Sequence, residues 1–140
     1  MDSNLKRSII LEHYQNPSHK GLIEDRSYHF CNMNNESCID EINMMIKIEN
    51  DKIVDIRFDG EACAICTSAT SIMIDTLLGK SLSEVRIILE EYKKMLNEEE
   101  YNQEVLEQAA VYEDVAKQPN RKKCALLPWW GIEKILKELP

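Results

Sequence analysis

The feature that most constrains this chain is a change of hydrophobic period near residue 40. Before it and after residue 63, apolar residues recur every three or four positions. Between them they recur every second position: Ile42, Met44, Ile46 and Ile48, then Val54, Ile56 and Phe58. Strict alternation specifies a strand with one buried face, and a one-residue slip would turn the whole set outward. Asn50-Asp51 separates the two runs, so the segment is read as a β-hairpin, with Asp59-Gly60 closing its second strand. Leu5, Ile9, Leu11 and Tyr14 predict an amphipathic helix over Ser3–Gln15, ended by Pro17 and Gly21. Residues 18–35 lack a sustained period and are read as loop with room for one short strand.

Helical spacing returns after Cys63 through Ala69, Ile72, Met73 and Leu77, with Gly79 as the stop. Ser81-Leu82-Ser83-Glu84 is a capping box that opens a helix reaching about Leu96. An acidic segment, Glu98 to Asp114, is read as helical from Gln103 with an exposed charged face, broken by Pro119. A last helix is expected from Ala125 or Pro128 to Leu139. Helix, strands and then helices predict an α+β fold, with a small antiparallel sheet covered on one face by helices, as one domain over residues 1–140.

The 140 residues are 44% apolar, enough for a core without a metal or disulfide as staple. The net charge of −8 argues against nucleic-acid binding. No apolar run approaches the ~20 residues of a membrane span, and nothing resembles a signal peptide, so the expected compartment is the cytoplasm.

Five cysteines, Cys31, Cys38, Cys63, Cys66 and Cys124, suit no disulfide framework. Cys38 (with Asp40 two residues on), Cys63 and Cys124 each fall at a boundary between predicted elements, where side chains from distant segments converge. Three thiolates and a carboxylate suit tetrahedral zinc. They would leave a formal charge of −2 around the ion, which the adjacent Arg121-Lys122-Lys123 would offset. A helix N-terminus at Cys63 would favour its thiolate. Spacing alone leaves scattered buried cysteines as an equal alternative. Cys63-Ala64-Ile65-Cys66 also has the form of a redox pair.

Several segments together resemble a known family. They are Glu12-His13-Tyr14-Gln15-Asn16-Pro17 with Lys20-Gly21, Asn35-Glu36-Ser37-Cys38-Ile39-Asp40, and Phe58-Asp59-Gly60-Glu61-Ala62-Cys63-Ala64-Ile65. Ser68-Ala69-Thr70-Ser71-Ile72-Met73 with Gly79-Lys80 follows, and then Arg121-Lys122-Lys123-Cys124-Ala125-Leu126-Leu127-Pro128-Trp129. In order, from about residue 9 to 130, they resemble the U-type iron–sulfur assembly proteins (the IscU/NifU N-terminal-like family), and within them the SufU branch. The scaffold branch has a His before its last Cys and a Leu-Pro-Pro-Val-Lys motif. Lys123 holds the first position here, the motif is missing, and the acidic segment fits a SufU-type insertion.

The resemblance implies a three-stranded sheet and zinc held by Cys38, Asp40, Cys63 and Cys124. It implies a pyridoxal-phosphate cysteine desulfurase (SufS-like) as partner, with iron–sulfur assembly proteins downstream. The desulfurase would displace Cys38 from zinc. The Cys38 thiolate would then take persulfide sulfur, with Arg121 stabilising the freed thiolate. The runner-up is a scaffold that builds a transient [2Fe–2S] cluster on the same residues, and a third reading is a zinc-stabilised interaction domain. Departures from the family pattern are Ile39 and Ala62 for Gly, Glu36 for Pro and Cys66 for Ser. Ile resists positive φ, so an ordinary backbone is expected at Ile39. Simpler roles are expected elsewhere: packing for Cys31 and Cys66, packing or capping for His13 and His19, and core filling for Met44, Met45 and Met73. His29 has no partner at ligand spacing, and Trp129-Trp130 would serve as helix anchor or partner surface.

Overall fold

The computed structural model describes residues 1–36 and 38–139; Ser37, within the Asn35–Asp40 motif, and Pro140 lie outside the described residues. The element order is α1 (Ser3–Gln15), β1 (His29–Asn34), β2 (Glu41–Glu49), β3 (Lys52–Glu61), α2 (Ala64–Leu77), α3 (Leu82–Leu96), α4 (Gln103–Leu106), a 3₁₀ segment (Glu107–Lys117) and α5 (Pro119–Glu138). The three strands form one antiparallel sheet in the order β1-β2-β3. This is the expected α+β arrangement, and no described helix is long and apolar enough to cross a membrane.

The hairpin turn forms because Asn50 and Asp51 both accept positive φ, 52° and 60°, the geometry that matches strand twist. The inward set differs from the expected one at one place. Lys47 pairs with Asp55 and Ile48 with Ile53, which leaves Val54 as an extra residue on β3. This bulge turns Ile53 inward and leaves Val54 43% exposed, so the alternation skips one residue.

Helix α2 is buried nearly all round, between α1, α5, the 3₁₀ segment and β3. Its buried hydroxyls are satisfied locally: Thr70 and Thr76 donate to the carbonyls of Cys66 and Ile72. The capping box at Ser81 and Glu84 forms as expected, and α3 ends at Leu96.

The acidic segment is not the continuous α-helix expected from Gln103. After α4, Glu107 takes φ 51° and the chain continues as 3₁₀. Leu106, Ala109, Tyr112 and Val115 recur every third residue, and all are buried. A helix of three residues per turn places such a set in one row; an α-helix would fan it around the axis. Tyr112 is tied to α2 through its hydroxyl contact with Ser68 (2.5 Å), while Glu104, Glu107, Glu113 and Asp114 stay exposed.

Pro119 begins α5 and breaks nothing: at the first helical position its missing N–H costs no hydrogen bond. Cys124 therefore sits in the second turn of a helix that begins earlier than expected. Pro128, inside the helix, removes one N–H and is tolerated. Trp129 is fully buried and stacked on Tyr92, centroids 4.2 Å apart; of the two roles weighed for it, it takes that of anchor. Gly131 lets α5 lie against the sheet, since a Cβ there would stand 2.2 Å from the Met44 methyl. Cys31 packs beneath it, as expected of a structural cysteine.

Candidate metal centre

Strand register sets the position of the site. Glu41 pairs with Glu61 and Ile42 with Gly60, so Asp40 (just before β2) and Cys63 (just after β3) meet at the same end of the hairpin. Asp40 is 2% exposed; its Oδ1 accepts the Cys63 backbone N–H at 2.7 Å. The Cys38 thiol donates to Oδ1 at 3.6 Å and the Cys63 thiol to Oδ2 at 3.8 Å. Cys124 reaches the same point from α5. The ligand atoms of Cys38, Asp40, Cys63 and Cys124 all lie within 4.8 Å of one another.

A tetrahedral zinc with sulfur at 2.3 Å and oxygen near 2.1 Å has ligand–ligand edges of about 3.5–3.8 Å. The two sulfur–oxygen contacts, 3.6 and 3.8 Å, lie close to that range and no ligand pair exceeds 4.8 Å, so the donor set fits such an ion with a contraction of up to about 1 Å. Cys63 is the N-cap of α2, and its sulfur accepts the Cys66 N–H at 3.4 Å. The helix thus places backbone positive charge behind a thiolate, as the sequence reading expected.

Two of the thiols, Cys63 and Cys124, are biased toward keeping their protons. Burial, first, pushes the Cys63 thiol up, with the Asp40 charge adding to it. Burial also pushes Cys124 far up, reinforced by hydrogen bonds to Asp40 and Cys63. A dication reverses this balance, because it binds the deprotonated sulfur. A pH dependence follows for chelated protein. Thiols raised in the fold bind more protons than their unfolded counterparts above the ordinary value of 9.0. Their stabilisation is complete below that pH and is lost as pH rises through the folded values, by up to about 1.4 kcal/mol per pH unit for a buried thiol such as Cys124 and less for part-exposed Cys63. Urea midpoints of reduced, chelated protein should therefore fall between pH 8 and 10; a flat profile would contradict the shifts.

A surface cavity of about 350 Å³ opens onto the cluster, lined by Cys38, Cys63, Ala64, Ile65, Asn120, Arg121 and Cys124. Arg121 lines it, whereas Lys122 and Lys123 are not among the lining residues. Ile39 is 73% exposed, and it is not among the positive-φ residues, so its backbone is ordinary.

The remaining candidates lie elsewhere. His13 bonds Ser71 on α2 and Gln108, His19 faces Asp55, and His29 is exposed on β1. Cys66 is fully buried behind the cluster, and burial pushes its thiol up.

Sequence reasoning gave no role to Asn35. Its N–H donates to the Asp40 carbonyl and its own carbonyl accepts from Cys38 N–H, both at 3.0 Å, which closes the Cys38–Asp40 loop. Its side-chain amide donates to the Cys124 sulfur at 3.9 Å and so tethers that loop to α5. The signal was present as an Asn three residues before Cys38, a turn-forming type at turn spacing.

The description NifU-like N terminal domain matches residues 5–125. A zinc-dependent sulfurtransferase SufU of Bacillus subtilis is 33% identical over 131 residues, 93% of this chain and 88% of that protein. An iron–sulfur cluster assembly scaffold protein IscU of Streptococcus pyogenes is 32% identical over 136 residues, 96% and 84% of the two chains. A crystal structure from Fervidobacterium islandicum, described as a candidate iron–sulfur assembly scaffold for the SUF system, superposes with TM-score 0.86 at 32% identity, covering 90% of this chain and 92% of that one. The cysteine–aspartate cluster at the open end of the hairpin thus lies within a matched segment that spans most of the sequence, and the chain belongs to the family of NifU-like N terminal domains.

Proposed function

We propose that this chain is a single-domain, SufU-type sulfur carrier of the cytoplasm. It would hold one zinc ion through Cys38, Asp40, Cys63 and Cys124. It would take persulfide sulfur from a pyridoxal-phosphate cysteine desulfurase of the SufS kind and pass it to downstream iron–sulfur assembly proteins. One observation carries the reading: three sulfurs and a carboxylate converge within 4.8 Å, and the three cysteines line an open cavity. The similarity to the zinc-dependent sulfurtransferase of Bacillus subtilis supports it.

When bound, the ion supplies positive charge that keeps the clustered thiols ionised at neutral pH. The chain's own residues do the rest. Cys38 is part exposed and lines the cavity, while Asp40 and Cys124 are buried. Its thiolate attacks the outer sulfur of the partner's persulfide, that S–S bond breaks, and the partner cysteine leaves as a thiolate. Asp40, fixed by the Cys63 N–H, and Cys63, fixed at the start of α2, stay in place during the exchange. Arg121 at the cavity wall offers the compensating positive charge.

The test is desulfurase turnover with and without this protein. Stimulation should vanish on chelation, and Cys38→Ala should neither stimulate nor gain a sulfur atom by mass. Sulfur uptake by Cys38→Ala at the parental rate would refute the role of Cys38. The similarity to the Streptococcus pyogenes scaffold favours a second reading, a [2Fe–2S] scaffold on the same residues. Colourless protein with one zinc supports the carrier, and brown protein with charge-transfer absorption supports the scaffold. A zinc-stabilised interaction domain would instead unfold on chelation and leave the desulfurase unstimulated.

A further inference from the structure

Among the described residues, Cys66 is a cysteine beside the cluster that the proposed function leaves without a task. It occupies the third position of α2, and Cys63 is the N-cap of the same helix. The Cys63 sulfur already folds back over it, accepting the Cys66 N–H at 3.4 Å. A disulfide needs Cβ atoms about 3.5–4.5 Å apart, closer than the about 5–6 Å of residues three apart on a helix, so closing the pair draws the extended N-cap residue Cys63 inward over the first turn of α2, the direction in which its sulfur already points. The Cys66 side chain is fully buried on the core side of that contact.

We infer that Cys63 and Cys66 form a dithiol–disulfide pair across the start of α2, closed by a soluble disulfide and mutually exclusive with Cys63 acting as a metal ligand. The two cysteines divide the work by exposure. Cys63 lines the open cavity, so an external reagent meets it; Cys66 is fully buried, out of reach of such a reagent. The Cys63 thiolate attacks one sulfur of the soluble disulfide, whose S–S bond breaks and releases one thiolate. Cys66 then loses its proton and attacks the Cys63 sulfur, and the second thiol departs. Two protein thiols are oxidised and the reagent is reduced to two thiols. Cys38 and Cys124 also have sulfurs within 4.8 Å of the Cys63 sulfur, but they belong to separate segments, whereas Cys66 is three residues from Cys63 at the start of one helix. The exclusivity rests on the proposed metal role of Cys63; formation of the bond does not.

The experiment uses the full chain, chelated, and oxidised glutathione. Trypsin releases peptide 58–80, between Arg57 and Lys80, with both cysteines inside it. That peptide is expected to appear lighter by two hydrogens, and dithiothreitol should restore it. Cys66→Ser should stop at one glutathione on Cys63. A wild-type peptide that carries only glutathione, or Cys63 linked to Cys38 or Cys124, would overturn the pair. In a second arm the protein is first saturated with zinc, which should slow bridging at least about tenfold, since a metal-bound sulfur is withheld from attack. Bridging at equal rates would leave the pair standing and overturn the exclusivity, and with it the metal role of Cys63.

Discussion

Gly60→Ala is expected to destabilise the protein by about 2–6 kcal/mol, a large share of the roughly 5–15 kcal/mol typical of a domain. Gly60 has φ 124°, a conformation that side-chain-bearing residues rarely adopt, at a cost of about 1–3 kcal/mol. Its added Cβ would stand 2.0 Å from the Glu41 carbonyl oxygen and 3.0 Å from the Ile42 Cα. Those neighbours are backbone, so no side chain can swing aside, and forced separation of the strands adds about 1–3 kcal/mol more. The damage falls where β2 and β3 deliver Asp40 and Cys63, so the Asp40–Cys63 N–H bond should break and metal affinity should fall with stability. Urea denaturation and a metal titration check both effects; an unchanged urea midpoint would refute the packing argument.

Removing the Cys63 sulfur should have the larger effect on the metal and the smaller on the fold. Loss of an outer-shell partner costs about 10–100-fold in affinity, and loss of a thiolate ligand should exceed that, at least about a thousandfold. Cys63 also caps α2, a contribution of about 0.5–2 kcal/mol for good caps and at the low end for a sulfur acceptor at 3.4 Å. Two variants separate the effects. Cys63→Ala loses the proposed ligand and the cap, whereas Cys63→Ser keeps a capping oxygen and loses the proposed soft ligand. Competition with a chromophoric chelator should show both variants weak for zinc, and denaturation should show the serine variant the more stable. Parental zinc affinity in either variant would remove Cys63 from the metal set.

How much of this was legible in the sequence depends on the range of each signal. The Ser81–Glu84 cap, the Asn50-Asp51 turn and the period of two around Ile42–Ile46 are set within a few residues, and each appears in the structure as expected. The skipped beat at Val54 was not legible, because a bulge depends on how β2 and β3 register against the core. The 3₁₀ form of residues 107–117 was written as a three-residue apolar repeat, Leu106 to Val115. That repeat competes with a good α-helical composition until α2 and α3 press on it. Pro119 reads locally as a break, and only the helix that follows makes it a first residue.

The sequence by itself determined which atoms are available for chemistry: three sulfurs and one carboxylate, basic residues beside the last sulfur, and a further cysteine three residues after Cys63. Donor chemistry and local periodicity are properties of residue types and their spacing, so they need no partner to be read. Only the tertiary structure decided that Cys38, Asp40, Cys63 and Cys124 meet, that Asn35 ties the Cys38 loop to α5, and that Cys66 stands behind the cluster. Those distances follow from strand register at Gly60 and from the close approach of α5 to the sheet at Gly131, where the whole core packs at once and no short stretch of chain carries the information.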